Sequence, residues 1–190
     1  MSASTPRLEP LRKNARWAKV KLLRRVCDFK PEENLIISAN ERGGSTWLSE
    51  LFHRIPRTAV YTEPLYLLPS NPLRQLKFTW NQYIPEDADW PEARDLFELL
   101  LRGKLLTSWT SSTWSFLRAR RMVVKFCYAN ALLPWLTRNF AFRYAPICFV
   151  RHPFAIAASK IKFVGWKHDY PGFRIPDCPY RERYLEHAAF

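Results

Sequence analysis

The stretch ENLIISANERGGSTWLSELF, residues 33–52, decides the fold. Leu35, Ile36 and Ile37 form a short run rich in β-branched side chains, long enough for a buried strand. Asn40, Glu41, Arg42, Gly43 and Gly44 then break the periodicity, and Trp47, Leu48, Leu51 and Phe52 recur at helical spacing. Strand, glycine turn and helix start together expose backbone N–H groups that can surround an anionic oxygen. Each hydrogen bond to a charged oxygen contributes roughly 1.5–3 kcal/mol, so several converging donors make a phosphate site. The hydroxyls of Ser45 and Thr46 and the cation of Arg42 add to that donor set. An ordinary glycine turn before an ordinary helix is the bland alternative for this loop taken alone.

Working outward, three further strand-to-helix alternations are expected to build an α/β fold around a mostly parallel sheet. Residues 58–62, 122–127 and 146–150 read as the other strands, and 88–101, 106–118, 131–140, 153–161 and 180–188 as helices. Before the central strand, an N-terminal basic tail and helix (residues 1–33) precede the main domain (34–190), with residues 1–7 a loose tail. The helix runs from Pro10 to about Cys27, with Leu11, Ala15, Ala18, Leu22 and Val26 as its apolar stripe and a strongly basic remainder. Such a helix suits either packing against a domain or contact with a membrane surface or nucleic acid. Trp109, Trp114 and Leu117 are expected in the core, and residues 65–78 and 163–179 lack clear periodicity.

A net charge of +13, from 30 Lys and Arg against 17 Asp and Glu, favours anionic partners without selecting among them. The four cysteines have neither metal-ligand spacing nor disulfide-scaffold density; Cys127 and Cys148 are expected as buried thiols. No apolar run reaches transmembrane length and no signal-peptide pattern opens the chain, so a cytoplasmic location is the default expectation.

The central loop departs from the nucleoside-triphosphatase pattern, because Gly44 is followed by Ser45 and no lysine lies inside the turn. A metal-assisted ATP reaction therefore lacks its usual lysine, and no bound metal is expected. A second loop, Arg151, His152 and Pro153, opens a helix that carries Ser159 eight residues beyond Arg151. Eight residues turn a helix by about 800°, or about 80° past whole turns, so Arg151 and Ser159 can grip one phosphate together if the arginine folds back along the helix. A capping arginine and a packing serine would give the same letters. His152 is expected to face solvent.

In this order the two loops resemble those of sulfotransferases that use 3′-phosphoadenylyl sulfate. ERGGSTW (41–47) is similar to the family's 5′-phosphosulfate loop, and FVRHPFAIAASK (149–160) to its 3′-phosphate motif. YTEPLY (61–66) and VVKFCYANALLPWL (123–136) look like the bacterial and carbohydrate branches, so the resemblance spans roughly residues 34–163. It implies a three-layer α/β/α fold of the P-loop nucleotide-kinase type. It also implies transfer of a sulfuryl group to a hydroxyl or amine acceptor, carbohydrate acceptors included. Arg42 would sit beside the bridging oxygen and balance charge on the leaving phosphate. The N–H groups of Gly43, Gly44, Ser45 and Thr46 would hold the 5′-phosphate, and the Ser45 hydroxyl would approach the departing oxygen. Arg151 and Ser159 would hold the 3′-phosphate, and Trp47 would lie on the adenine side, unless it is a core residue.

Glu63, at a strand end, is the leading general base, with a turn residue simply preceding Pro64 as the alternative. Lys125 would stabilise the sulfuryl oxygens, with a solvated or snorkelling lysine as the alternative. The histidine base of phenol sulfotransferases has no counterpart, since Phe126 and Cys127 occupy that neighbourhood. The basic glycine-containing segment that closes over adenosine in the family is not found by Phe190, so a truncated chain or a lost closure is expected. A fragmentary nucleotide-binding domain and a nucleic-acid-binding module are the competing readings.

Overall fold

The computed structural model describes residues 9–67, 71–79, 82–107, 113–127, 129–162 and 177–188. Four parallel strands form its sheet: β1 (Leu35–Ala39), β2 (Thr58–Thr62), β3 (Arg121–Cys127) and β4 (Ile147–Phe149), in the order β2-β3-β1-β4. β1 is buried along its whole length, as a central parallel strand covered on both faces must be. Ile37 aligns with Lys125 on one side and Ile147 on the other.

The period-two alternation of the strands divides the core. Leu35, Ile37, Val60 and Val123 point to one face, where Leu48 and Phe52 of α2 (Ser45–His53) cover them. Ile36, Ala59, Tyr61, Met122, Val124 and Phe126 point to the other. There they meet α1 (Glu9–Val26), α3 (Pro91–Leu101) and α5 (Leu133–Asn139) through Leu23, Phe97 and Trp135. Phe97 is the hub of that larger cluster, with its ring 5.6 Å from Trp135 and 6.5 Å from Phe126. Edge-to-face and tilted contacts at this range add to the area term of burial.

The chain leaves β1 through α2 toward the β2 edge, and later crosses back to reach β4 on the opposite side of β1. Winding therefore changes direction between β1 and β4, and ligands of open α/β sheets gather beyond the carboxyl ends of such strands. The loops after these two strands lead into α2 and α6 (Pro153–Lys162).

Several helical faces differ from the sequence expectation. The core side of α1 is Val20 and Leu23, continued by Cys27 just past its end, whereas Leu22 and Val26 are 51% and 54% exposed. Ala15 and Ala18 are exposed too. Basic residues flank both candidate stripes, and docking selected the one offset by a fraction of a turn. Residues 106 and 107 are not helical; α4 spans Thr113–Arg118, and its Trp114 and Leu117 are 63% and 46% exposed instead of buried. In α3 the buried face is Ala93, Phe97, Leu100 and Leu101, while Leu99 faces out. Cys148 is exposed on the edge strand instead of buried, Cys127 is half-buried, and Cys27 and Cys178 are buried. The region from 65 to 78 contains a short 3-10 helix, Pro72–Leu76, capped by the side chain of Asn71. A last helix, α7, spans Arg181–Ala188. Residues 1–7, Trp109 and the stretch 163–176 lie outside the described residues.

Candidate functional site

The turn after β1 is shaped by its glycines. Gly43 donates its N–H to the Asn40 carbonyl at 3.1 Å, and a Cβ at Gly43 would lie 2.8 Å from that same oxygen. Gly44 caps α2 at φ 99°, a left-handed conformation that side-chain-bearing residues rarely adopt. The first helical N–H groups, those of Ser45, Thr46 and Trp47, precede any intrahelical acceptor, and the cap supplies no side chain. Backbone donors and the positive helix end thus converge on the space before α2. The Gly43 N–H, expected among these donors, is used inside the turn instead.

On one side of this loop stands α6. Arg42, itself at φ 59°, donates from Nε to the Ser159 hydroxyl at 3.0 Å, and an Arg151 guanidinium nitrogen donates to the Arg42 carbonyl at 3.1 Å. Arg42, Arg151, Ala155, Ala158, Ser159 and Lys162 line one cleft of about 470 Å³, a size within the usual range of small-ligand sites. Loops separated by more than a hundred residues therefore meet around a concentration of cations. Lys160 is ion-paired with Glu41, tying α6 to the turn a second time. His152 is exposed as expected, and its Nδ1 accepts from the Phe154 N–H at the start of α6.

On the other side lies a buried polar cluster. Lys125 is on the α2 face of β3 with 4% of its side chain exposed, so it neither snorkels nor reaches bulk water. Its ammonium donates to the Thr46 hydroxyl and to Glu63 Oε1, each at 3.2 Å. Glu63 follows β2 at φ 51°, with its N–H bonded to the Lys125 carbonyl at 2.7 Å. A left-handed residue there costs about 1–2 kcal/mol; it turns the carboxylate back toward β3. The Cys127 thiol approaches the same oxygen at 3.6 Å. Burial, reinforced by the Glu63 charge, pushes this thiol up to about 12 from an ordinary 9.0, so it stays protonated at neutral pH. Farther along, Ser38 donates to Asn130 Oδ1, joining the ends of β1 and β3.

The residues singled out from the sequence thus fall into two adjoining groups sharing one loop: Arg42, Arg151 and Ser159 on the α6 side, and Thr46, Lys125 and Glu63 on the β3 side. Gly43 and Gly44 lie between them. Ser45 is buried, whereas Trp47 is 61% exposed beside the loop and contributes nothing to the core. Arg42 lies with Ser159, so the cation bonded to Thr46 is Lys125. Sequence reasoning missed Lys162 and the contact of Cys127 with Glu63. Lys162 follows Ser159 by three residues on a helix, a same-face spacing that was legible in principle.

No family model, no curated protein and no solved structure matches this chain. Its chemistry rests on the site alone. Among the described residues, no group of three His, Cys, Asp or Glu side chains is placed to hold a metal, and no helix is long and apolar enough to cross a membrane.

Proposed function

We propose that the chain is a sulfotransferase that uses 3′-phosphoadenylyl sulfate as donor, with a hydroxyl or amine acceptor, carbohydrates included. The finer architecture that accompanies this reading is a three-layer α/β/α fold of the P-loop nucleotide-kinase type. One observation carries the proposal: Arg42 and Ser159, 117 residues apart, are hydrogen-bonded, with Arg151 bonded to the same turn. A donor phosphorylated at both ends of its ribose needs such a pair of anion sites side by side, whereas a single-phosphate ligand needs one.

The residues present fit that donor. Gly43 lets the turn close against the Asn40 carbonyl, and the cleft beside it is lined by Arg42, Arg151, Lys162 and the Ser159 hydroxyl. In this reading Arg151, Ser159, Arg42 and Lys162 hold the 3′-phosphate. The N–H groups at the start of α2 hold the 5′-phosphate, with exposed Trp47 on the adenine side. The donor supplies the activated sulfuryl group. Glu63 accepts the acceptor's proton at a carboxylate oxygen, and the Lys125 ammonium neutralises charge gathering near Thr46. Assigning that electrostatic role to Lys125, and a clamping role to Arg42, follows from Arg42's bond to Ser159.

Titration calorimetry with 3′-phosphoadenosine 5′-phosphate, AMP and ATP tests the reading. The doubly phosphorylated nucleotide should bind tightest, and Arg151→Ala should weaken it by about tenfold or more through loss of a charge-assisted contact. Equal affinity for all three nucleotides, or indifference to Arg151→Ala, overturns it. Binding without sulfuryl transfer to any acceptor would leave a nucleotide-binding domain rather than an enzyme.

A further inference from the structure

The opposite end of the sheet carries a second cationic surface that the proposed chemistry does not use. Arg54 and Arg57 follow α2, Arg118 ends α4, and Arg120 precedes β3; all four are exposed, and among the described residues none forms an ion pair. They line a cleft of about 590 Å³ with Thr58, a residue 4% exposed whose buried hydroxyl has no hydrogen-bond partner. Four guanidinium groups gathered around one cleft fit a tetrahedral oxyanion, whose oxygens accept from such donors.

Next to this cleft the surface is apolar. Leu22 and Val26, the stripe of α1 that the core leaves uncovered, are about half exposed, as are Trp114 and Leu117 of α4. The two helices present these side chains together. Lys19 lies 4.5 Å over the Trp114 ring, and Val26, Leu117 and Arg120 line one further cleft. Arg120 is common to both clefts, so the apolar strip and the arginines are continuous. A polyanion in water would use the arginines but has no use for exposed leucine and valine. An anionic bilayer uses both: aliphatic side chains and tryptophan enter the headgroup boundary, and guanidinium groups meet phosphates at the rim.

We propose that this face docks the protein on anionic phospholipid membranes. Leu22, Val26, Trp114 and Leu117 are the inserted part, and the cleft of Arg54, Arg57, Arg118, Arg120 and Thr58 receives a headgroup phosphate. Because the surface lies at the amino ends of β2 and β3, docking leaves the Arg42–Ser159 cleft, at the carboxyl ends, turned toward solution.

Vesicle co-sedimentation tests this, with phosphatidylcholine alone and phosphatidylcholine containing phosphatidylserine. Binding should require the anionic lipid and weaken with added salt. Arg57→Gln with Arg118→Gln should reduce it by about 25-fold, from about fivefold for each cation removed. Trp114→Ala with Leu117→Ala should reduce it by about tenfold or more at unchanged net charge. All four side chains are exposed, so each variant should keep the wild-type circular dichroism spectrum. Brominated lipid should quench part of the wild-type fluorescence, and that part should vanish in Trp114→Phe. Three results would each overturn the proposal. They are equal binding to neutral vesicles, vesicle binding unchanged in either double variant, and capture by an oligonucleotide or sulfated polysaccharide with none by vesicles.

Discussion

Removing Glu63 should damage the fold more than removing Lys125, although the two are ion-paired at 3.2 Å. Glu63→Ala leaves an ammonium with 4% side-chain exposure and only the Thr46 hydroxyl as a side-chain acceptor. Breaking a fully buried pair from one side costs about 3–5 kcal/mol. Glu63 is 35% exposed, so water already weakens the pair; about 2–4 kcal/mol is the appropriate range. Lys125→Met removes the buried cation and its desolvation cost, keeps an unbranched chain of similar volume, and leaves a carboxylate that water can reach. That substitution should change stability by less than about 1 kcal/mol. At about 2–4 °C per kcal/mol for a chain of this size, Glu63→Ala should lower Tm by roughly 4–16 °C and Lys125→Met by less than about 4 °C. The double variant should recover most of the Glu63→Ala loss, because the stranded charge is gone. Urea and thermal unfolding at neutral pH measure all three. A Lys125→Met loss as large as that of Glu63→Ala, or a double variant worse than either single one, would refute the account of Lys125 as a desolvated cation held by Glu63.

Gly44→Ala should destabilise by about 1–2 kcal/mol from the left-handed backbone alone, with further displacement of Phe149, whose ring lies 3.3 Å from the added Cβ; Gly44→Asn should be milder in a thermal melt. The Cys127 thiol is raised in the folded state, so the unfolded chain loses its proton first. Its contribution is full below pH 9.0 and is lost as the pH climbs toward about 12. Cys127→Ser should therefore flatten the alkaline limb of a stability profile, and at pH 8 iodoacetamide should label exposed Cys148 well before Cys127, as read by peptide mass.

The parts of this protein legible in the letters are the local ones. Residues 35–37, 58–62, 122–127 and 146–150 all became strands, within a residue or two, because short β-branched runs bounded by turn residues have few other ways to bury themselves. The Gly43–Gly44 pair announced a turn that favours glycine at both positions, since one avoids a clash with Asn40 and the other adopts a positive φ. Helical faces were less secure. In α1 two apolar stripes lie a fraction of a turn apart, and periodicity has no means of choosing between them. Docking against Phe97 and its neighbours buried Val20 and Leu23, and left Leu22 and Val26 outside.

Partnerships between distant residues were the work of the tertiary structure. Nothing in the spacing of Arg42, Lys125 and Ser159 says which cation joins Thr46 and which joins α6. That choice came from the strand order, which sets β1 between β3 and β4 and so puts Lys125 on one side of the glycine loop and Ser159 on the other. The sequence by itself determined the strands and the glycine turn that opens α2, since both depend on residues adjacent along the chain. Only the packed sheet decided how the charges around that loop are shared, because Coulomb and hydrogen-bond terms depend on distances in space that chain position does not contain.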